Sequence, residues 1–172
     1  MTPLYPLAKA NTLLAEGPGG KAESGDAGLL TVFGITKGYD ASWPGWPYAE
    51  GLISKGVLPS HFDTDDTLMG FVDQFYLIQW AQARMDLFSD QTLASSYFGG
   101  YVNEGPKVAH FLQEVAGVTQ DGLLGADTMN AVLAHGVALT LAQFKLARVY
   151  YYGATANLAD LRGLIARVKM GA

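Results

Sequence analysis

From about Asp65 to the carboxyl terminus, apolar residues recur every three or four positions, which is the spacing that places them on one face of an α-helix. Leu68, Val72 and either Phe75 or Tyr76 form such a stripe, and Thr64 or Asp65 is the predicted N-cap of that long helix. Further helices are predicted over residues 91–102, from 106 to 117, and over 127–134, 137–152 and 157–170. A chain with this pattern folds mainly as packed helices.

The first part of the chain has a different pattern. Apolar residues at helical spacing predict a helix over residues 3–16, which the run Gly17-Pro18-Gly19-Gly20 cannot continue. We expect a polar loop as far as Gly28, followed by a strand or small hairpin over 29–36, where β-branched and aromatic residues are frequent. The predicted fold class is therefore α+β, predominantly α-helical, with a small β-hairpin near the amino terminus, in a single domain over residues 1–172.

Composition excludes several classes of protein. The 172 residues are 49% hydrophobic and 16% charged, which is incompatible with an intrinsically disordered chain. The formal charge of −5 and the scattered basic residues argue against nucleic-acid binding, which requires clustered Lys and Arg. No window approaches the roughly 18 apolar residues of a membrane span. Residues 1–14 do not have the pattern of a secretory signal, so we expect synthesis in the cytoplasm.

Cysteine and histidine usage narrows the chemistry further. With no cysteine in the chain, disulfide and thiolate chemistry is excluded. His61, His110 and His135 lie far apart without the spacing of metal ligands, so we expect no metal site and no cofactor.

Two carboxyl groups in contrasting environments precede the predicted hairpin. Glu16 ends the first helix, where unpaired carbonyls and the negative end of the helix dipole favour a protonated acid that can donate its proton. Asp26 lies in a polar loop, where it is expected to stay ionised, and the nearby Thr31 hydroxyl can orient a water molecule. One acid and one carboxylate are what glycoside hydrolysis requires. On spacing alone, however, two solvated acids are the commoner outcome.

The order of these residues is similar to that of a known family. Glu16-Gly17, Asp26-Ala27-Gly28, Thr31 and Phe33-Gly34-Ile35-Thr36 resemble the motifs of bacterial and phage lysozyme-type N-acetylmuramidases (endolysins), which run Glu-Gly-Gly-Tyr and then Asp-Pro-Gly-Gly-x-Thr-x-x-Gly-Ile-Thr. The family's peptidoglycan-binding-like helical segment is matched by Val102-Asn103-Glu104-Gly105-Pro106, by Phe111-Leu112-Gln113, and by the residues from Gln120 to Thr128. The resemblance covers about residues 10–135, with the order of motifs kept.

The resemblance implies a lysozyme-like fold, with a catalytic half at residues 1–90 and a peptidoglycan-binding-like half at 91–172. It implies a glycoside hydrolase that cleaves the β-1,4 bond between N-acetylmuramic acid and N-acetylglucosamine, with Glu16 as the general acid. We expect Asp26 to stabilise the transition state, or to act as a base through a water held with Thr31. A lytic transglycosylase, which uses a single acid, stays open as an alternative.

Further side chains are predicted to contact the glycan. Trp43, Trp46 and Tyr48 lie in a turn-rich loop, where their rings can stack on sugars and line a cleft, or can instead seal one end of the core. Thr36 in the hairpin motif and Asn103 at a helix junction complete the predicted substrate-binding residues, although Asn103 also suits the commoner role of a helix cap.

Peptidoglycan glycan strands are the expected partner, in the periplasm or cell wall. The enzyme reaches them through a membrane pore such as a holin, or as part of a virion or injection apparatus. The alternative function is a catalytically weak peptidoglycan-binding or assembly module of the same fold. Two features favour that alternative: Gly-Pro-Gly-Gly follows Glu16 where the family has Gly-Gly-Tyr, and the charge of −5 does not help the approach to an anionic wall.

Overall fold

Helices form most of the chain, as the spacing of apolar residues predicts. The computed structural model describes residues 5–16, 20–22, 30–156 and 158–170, without the side chains of 15, 16, 20–22, 158–160 and 170. Within these ranges the α-helices are α1 (Tyr5–Glu16), α2 (Trp46–Ser54), α3 (Asp66–Gln82), α4 (Gln91–Glu104), α5 (Val108–Ala116), α6 (Ala126–His135), α7 (Val137–Thr155) and α8 (Leu158–Met170). Short 3-10 helices lie at Pro59–Thr64, Met85–Leu87 and Gly105–Lys107.

Side-chain caps and glycines set several of these helix bounds. The Asp65 carboxylate accepts a hydrogen bond from the backbone N–H of Leu68 at 2.9 Å, which confirms one of the two predicted caps of α3. Asp90 caps α4 in the same way through Leu93. The predicted end of α5 is also confirmed, because Gly117 has a φ of 71°, a left-handed conformation that glycine adopts without steric cost.

Three short antiparallel strands form a sheet in the order β1 (Gly20–Ala22), β2 (Leu30–Val32) and β3 (Ile35–Thr36). The predicted hairpin is confirmed by β2 and β3, whose turn places Phe33 and Gly34 at φ values of 48° and 81°. A loop prediction over the residues of β1 was wrong. Gly-Lys-Ala has little intrinsic strand propensity, and β1 forms because its residues pair with β2.

The chain divides into two compact units, one made of Met1–Ala15 with Gln79–Ala172 and the other of Glu16–Ile78. In the second unit, which contains the sheet, Val32, Ile35, Leu68 and Val72 are fully buried. Tyr76 is also buried and donates its hydroxyl to the Phe33 carbonyl at 2.6 Å. That hydrogen bond joins α3 to the turn of the hairpin.

The other unit is helical in its described residues, and α7 is its central element, since α7 packs against α4, α5, α6 and α8. Phe98, Leu112 and Phe144 are fully buried there. Together the two units confirm the predicted α+β class with a predominance of helix. The lysozyme-like topology and the division at residue 90 stay predictions.

No single helix among the described residues is long and apolar enough to cross a membrane. The helices α6 and α7 reach that length and apolarity only when taken together, across a bend of 107°.

Candidate functional site

The two predicted catalytic carboxylates fall at the edge of what the structure describes. Glu16 is the last residue of α1, where the sequence predicts it, and its side chain lies outside the described residues. Asp26 belongs to residues 23–29, which also lie outside them. The strands on either side of residues 23–29 pair directly, Ala22 with Leu30.

The structure brings two of the predicted site residues together. Thr31 on β2 and Thr36 on β3 are direct cross-strand partners, and their hydroxyl oxygens lie 3.1 Å apart. Because side chains alternate along a strand, the buried residues Val32 and Ile35 take the opposite face of the sheet. The two threonine hydroxyls therefore form a half-buried polar pair on the face turned away from this part of the core.

Asp40 is a carboxylate that the sequence analysis missed. Its backbone N–H donates to the Thr36 carbonyl at 2.8 Å, which fixes it just beyond the hairpin. Burial raises the pKa of the Asp40 carboxyl, although a hydrogen bond with the backbone of Thr36 opposes that rise. No spacing signal separates Asp40 from the other acids of the chain, because its environment is created by the turn that follows β3.

Trp43 and Trp46 are buried, with only 5% and 3% of their surfaces exposed. Their rings pack edge to face with centroids 4.8 Å apart. The Trp46 indole donates to the Asp40 carbonyl at 2.7 Å and the Trp43 indole donates to the Phe71 carbonyl at 3.3 Å. This arrangement favours the interpretation that the pair seals the core, because little of either ring is open to a sugar.

The prediction that Trp46 and Tyr48 lie in a turn-rich loop is wrong. The helix α2 begins at Trp46, with Pro47 in its first turn. Tyr48 is half-buried, and its hydroxyl donates to the Asp65 carboxylate at 3.2 Å. The same carboxylate caps α3. In this structure Tyr48 therefore links α2 to the start of α3.

A pocket of about 210 Å³ opens beside Asp40 and Trp43. We call it the Asp40 pocket. Its lining includes Asp40, Ser42, Trp43, Phe71, Gln74 and Phe75. Every one of these residues belongs to the Glu16–Ile78 unit, which also contains Thr31 and Thr36. The pocket combines aromatic surface with a few polar groups, the usual composition of a small-ligand site.

Asn103 belongs to the other unit, on the last turn of α4. Its side-chain amide donates to the Gly99 carbonyl at 2.7 Å, and its side-chain oxygen accepts from Arg167 at 2.8 Å. The helix-cap role considered for Asn103 is wrong, because no side chain caps the 3-10 helix Gly105–Lys107 or α5. Asn103 instead ties α4 to α8.

The neighbouring residue Glu104 makes a buried ion pair that the sequence analysis did not anticipate. Arg148 on α7 donates from Nε to both Glu104 carboxylate oxygens, at 2.9 and 3.1 Å, and Tyr152 donates its hydroxyl to the same carboxylate. The two charged side chains are 2% and 0% exposed. Burial raises the pKa of Glu104 and lowers that of Arg148, and the ion pair opposes both shifts. Partners 44 positions apart leave no local signal in a sequence.

The motif from Gln120 to Thr128 forms a turn organised by Gln113. The buried Gln113 amide donates to the Asp121 carboxylate at 2.6 Å, and its oxygen accepts from the backbone N–H of Gly122 at 2.9 Å. Asp121 also accepts from the Leu123 N–H at 2.9 Å. These hydrogen bonds give the motif a structural role as the turn between α5 and α6.

In the parts of the chain that the structure describes, no three His, Asp or Glu side chains gather in a group that could hold a metal ion.

Comparison with known proteins finds a solved structure that has a similar fold. No protein-family model and no curated protein matches it. Its structure is similar to a solved structure of Brucella abortus SagA, with a TM-score of 0.71 and 21% sequence identity over 97% of this chain and 90% of that one. At that identity the similarity shows a shared fold and nothing about activity.

Proposed function

We propose that this protein is a lysozyme-type N-acetylmuramidase, a glycoside hydrolase that cleaves the β-1,4 bond between N-acetylmuramic acid and N-acetylglucosamine in peptidoglycan. The observation that carries the proposal is the Thr31–Thr36 hydroxyl pair, formed by two residues of the motif that resembles this family. The pair lies on a small sheet whose first strand begins four residues after Glu16. This arrangement supports the proposal because hydrolysis needs a proton donor and a positioned water molecule. The acid at the end of the helix is the proposed donor, and the paired hydroxyls on the sheet can hold the water.

Glu16 is the proposed general acid. Glu16 is the last residue of α1. The carboxyl end of a helix carries carbonyls without helical partners and the negative end of the dipole, and both favour a protonated carboxyl at such a position. Such an acid donates its proton to the glycosidic oxygen as the bond breaks. The leaving sugar departs as an alcohol, and positive charge develops on the ring that remains.

Asp26 is the proposed carboxylate that stabilises this charge or activates the attacking water. Residues 23–29 connect positions that are paired in the sheet, and Thr31 follows Leu30 directly. In the sequence, Asp26 therefore lies between the paired strands β1 and β2, and β2 carries Thr31. In the Thr31–Thr36 pair one hydroxyl donates to the other, which leaves a proton and lone pairs for a water molecule.

The second candidate is a catalytically weak peptidoglycan-binding or assembly module. It is favoured by the altered sequence after Glu16 and by the charge of −5, which weakens steering toward an anionic polymer. Under either function the partner is the glycan strand of the wall, reached through a holin-type pore or from a virion or injection apparatus.

The test is loss of turbidity of purified peptidoglycan with wild type, Glu16→Gln and Glu114→Gln. Glu114 is an exposed residue on α5, so its variant controls for the loss of one negative charge. We expect clearing by wild type and by Glu114→Gln, and none by a folded Glu16→Gln that still sediments with the wall. Absence of clearing by all three, with wall binding retained, would instead support the binding module.

A further inference from the structure

We propose that the Asp40 pocket binds one N-acetylhexosamine residue of the glycan strand, as a subsite of the proposed hydrolase. This inference rests on the proposed function for the identity of the polymer. The lining of the pocket includes Asp40, Ser42, Trp43, Phe71, Gln74 and Phe75, which are both polar and apolar residues.

The size of the pocket limits its occupant. A volume of about 210 Å³ is below the roughly 300–1,000 Å³ that drug-sized ligands occupy. One sugar ring fits that space better than a disaccharide does. The rest of a glycan strand would therefore extend outside the pocket, and the site would recognise a single residue of the polymer.

The aromatic residues supply the apolar contact surface. Phe71 and Phe75 lie one turn apart on α3 and are half-buried, so part of each ring remains open. Ile78, which is 59% exposed, extends the same surface. The faces of pyranose rings and the methyl group of an acetamido substituent are apolar, and they pack well on rings that lose little entropy when they are covered.

Polar groups at the rim supply hydrogen bonds. The Ser42 hydroxyl and the Gln74 amide are exposed, and within the described residues neither has a hydrogen-bond partner. Asp40 is half-buried and is held at the hairpin by Thr36. A carboxylate accepts hydrogen bonds from sugar hydroxyls, and a side-chain amide can both donate to and accept from an acetamido group. These three groups therefore suit a neutral, hydroxyl-rich ligand that carries an amide.

The pocket is connected through Asp40 to the hairpin that carries Thr31 and Thr36. Asp40 follows Thr36 by four residues, and its N–H is bonded to the Thr36 carbonyl. The Thr36 side chain is in turn paired with Thr31. A sugar held by Asp40 would therefore be anchored to the same hairpin that carries the hydroxyl pair.

The experiment measures binding of tri-N-acetylchitotriose by calorimetry, in the Glu16→Gln background so that no turnover interferes. The pocket variants are Asp40→Asn, Gln74→Ala and Phe75→Ala, and Gln74→Ala removes an exposed side chain that the fold does not require. The control is Leu77→Ala, an apolar side chain on α3 that is 43% exposed and lies outside the pocket lining. We expect each pocket variant to weaken binding at least fivefold and the control to stay within twofold of its parent.

Equal affinity in all variants, or no detectable binding at millimolar trisaccharide, overturns the pocket assignment. Tighter binding of tetramethylammonium than of the trisaccharide overturns it too, because it would identify a cation site of carboxylate and aromatic rings. Failure of the proposed hydrolase gives a different result from failure of the pocket assignment. In that case wild type does not clear the wall, although trisaccharide binding still depends on Asp40. The same pocket substitutions are also made in the wild-type background. Clearing that depends on Glu16, with KM unchanged by these substitutions, would leave the hydrolase in place and remove the subsite.

Discussion

The hydroxyl oxygens of Thr31 and Thr36 lie 3.1 Å apart across the paired strands β2 and β3. Their strand neighbours Val32 and Ile35 are fully buried on the other face. The sheet thus separates two tasks: one face contributes to the core, and the other presents a pair of hydroxyl groups. Substitutions of the threonines can therefore test chemistry without opening the core.

Thr31→Val and Thr36→Val retain the β-branched shape that suits a strand but remove one hydroxyl each. If the pair orients the attacking water, each variant should lose at least tenfold in the rate of peptidoglycan clearing, while its melting temperature moves by only a few degrees. Clearing assays and thermal unfolding on the same preparations check this. Unchanged clearing rates in both valine variants would exclude the hydroxyl pair from the reaction.

Glu104→Gln should destabilise the helical unit by about 3–5 kcal/mol, because it leaves the Arg148 charge buried without its counter-ion. Adding Arg148→Met to that variant should recover part of the loss. The control is Asp86→Asn, which breaks a solvent-exposed pair with Arg84 and should therefore cost much less. Denaturant unfolding measures all of these differences, and a Glu104→Gln cost as small as that of Asp86→Asn would contradict the prediction.

Two glycine-to-alanine substitutions in this unit should act in opposite directions. Gly122 has a φ of 74°, and an added Cβ would lie 2.9 Å from the His110 ring, so alanine should cost about 1–3 kcal/mol. Gly153 is helical and its Cβ position is open, so alanine there should stabilise by about 0.5–1 kcal/mol. Denaturant unfolding measures both variants. An unfolding midpoint of Gly122→Ala no lower than that of wild type would show that the Gln113–Asp121 turn does not require its glycine, and a lowered midpoint of Gly153→Ala would contradict the second prediction.

Asp121 predicts a pH dependence of stability. Hydrogen bonds from the Leu123 backbone and from Gln113 hold the pKa of Asp121 below its ordinary value of 3.8. The folded state therefore binds this proton more weakly than the unfolded state, so the stabilisation is complete above pH 3.8 and is lost as the pH falls further. The difference in unfolding free energy between wild type and Asp121→Asn should be constant near neutral pH and shrink below pH 3.8. A difference that does not change over that range would contradict the assignment.

The helices could be predicted because burial imposes a period on the sequence. Leu68, Val72 and Tyr76 are all buried on α3, and the predicted cap at Asp65 is in place. The strand β1 could not be predicted, because its three residues gain their structure from hydrogen bonds to β2. Trp43 and Trp46 left two interpretations open, since a turn-rich aromatic segment is compatible with either a cleft or a core contact.

The candidate site was only partly predictable, for a similar reason. Thr31 and Thr36 belong to one short motif, and a two-residue turn makes them cross-strand partners. Asp40 lies half-buried at the turn after β3, in a pocket that aromatic residues on α3 also line, and no local pattern encodes this placement. The pairing of Glu104 with Arg148 depends on the packing of α4 against α7. Contacts between residues that are close in the sequence can be predicted from a motif. Contacts between distant residues depend on tertiary packing, which the motif does not contain.

The proposed role of Glu16 is to protonate a glycosidic bond after N-acetylmuramic acid. Mass spectrometry of the soluble fragments that wild type and Glu16→Gln release from purified peptidoglycan tests this most directly. We predict fragments that end in reducing N-acetylmuramic acid from the wild type and none from a folded Glu16→Gln. Equal amounts of these fragments from both proteins would contradict this role of Glu16. Fragments with anhydro-sugar ends would show that the reaction is transglycosylation and not hydrolysis.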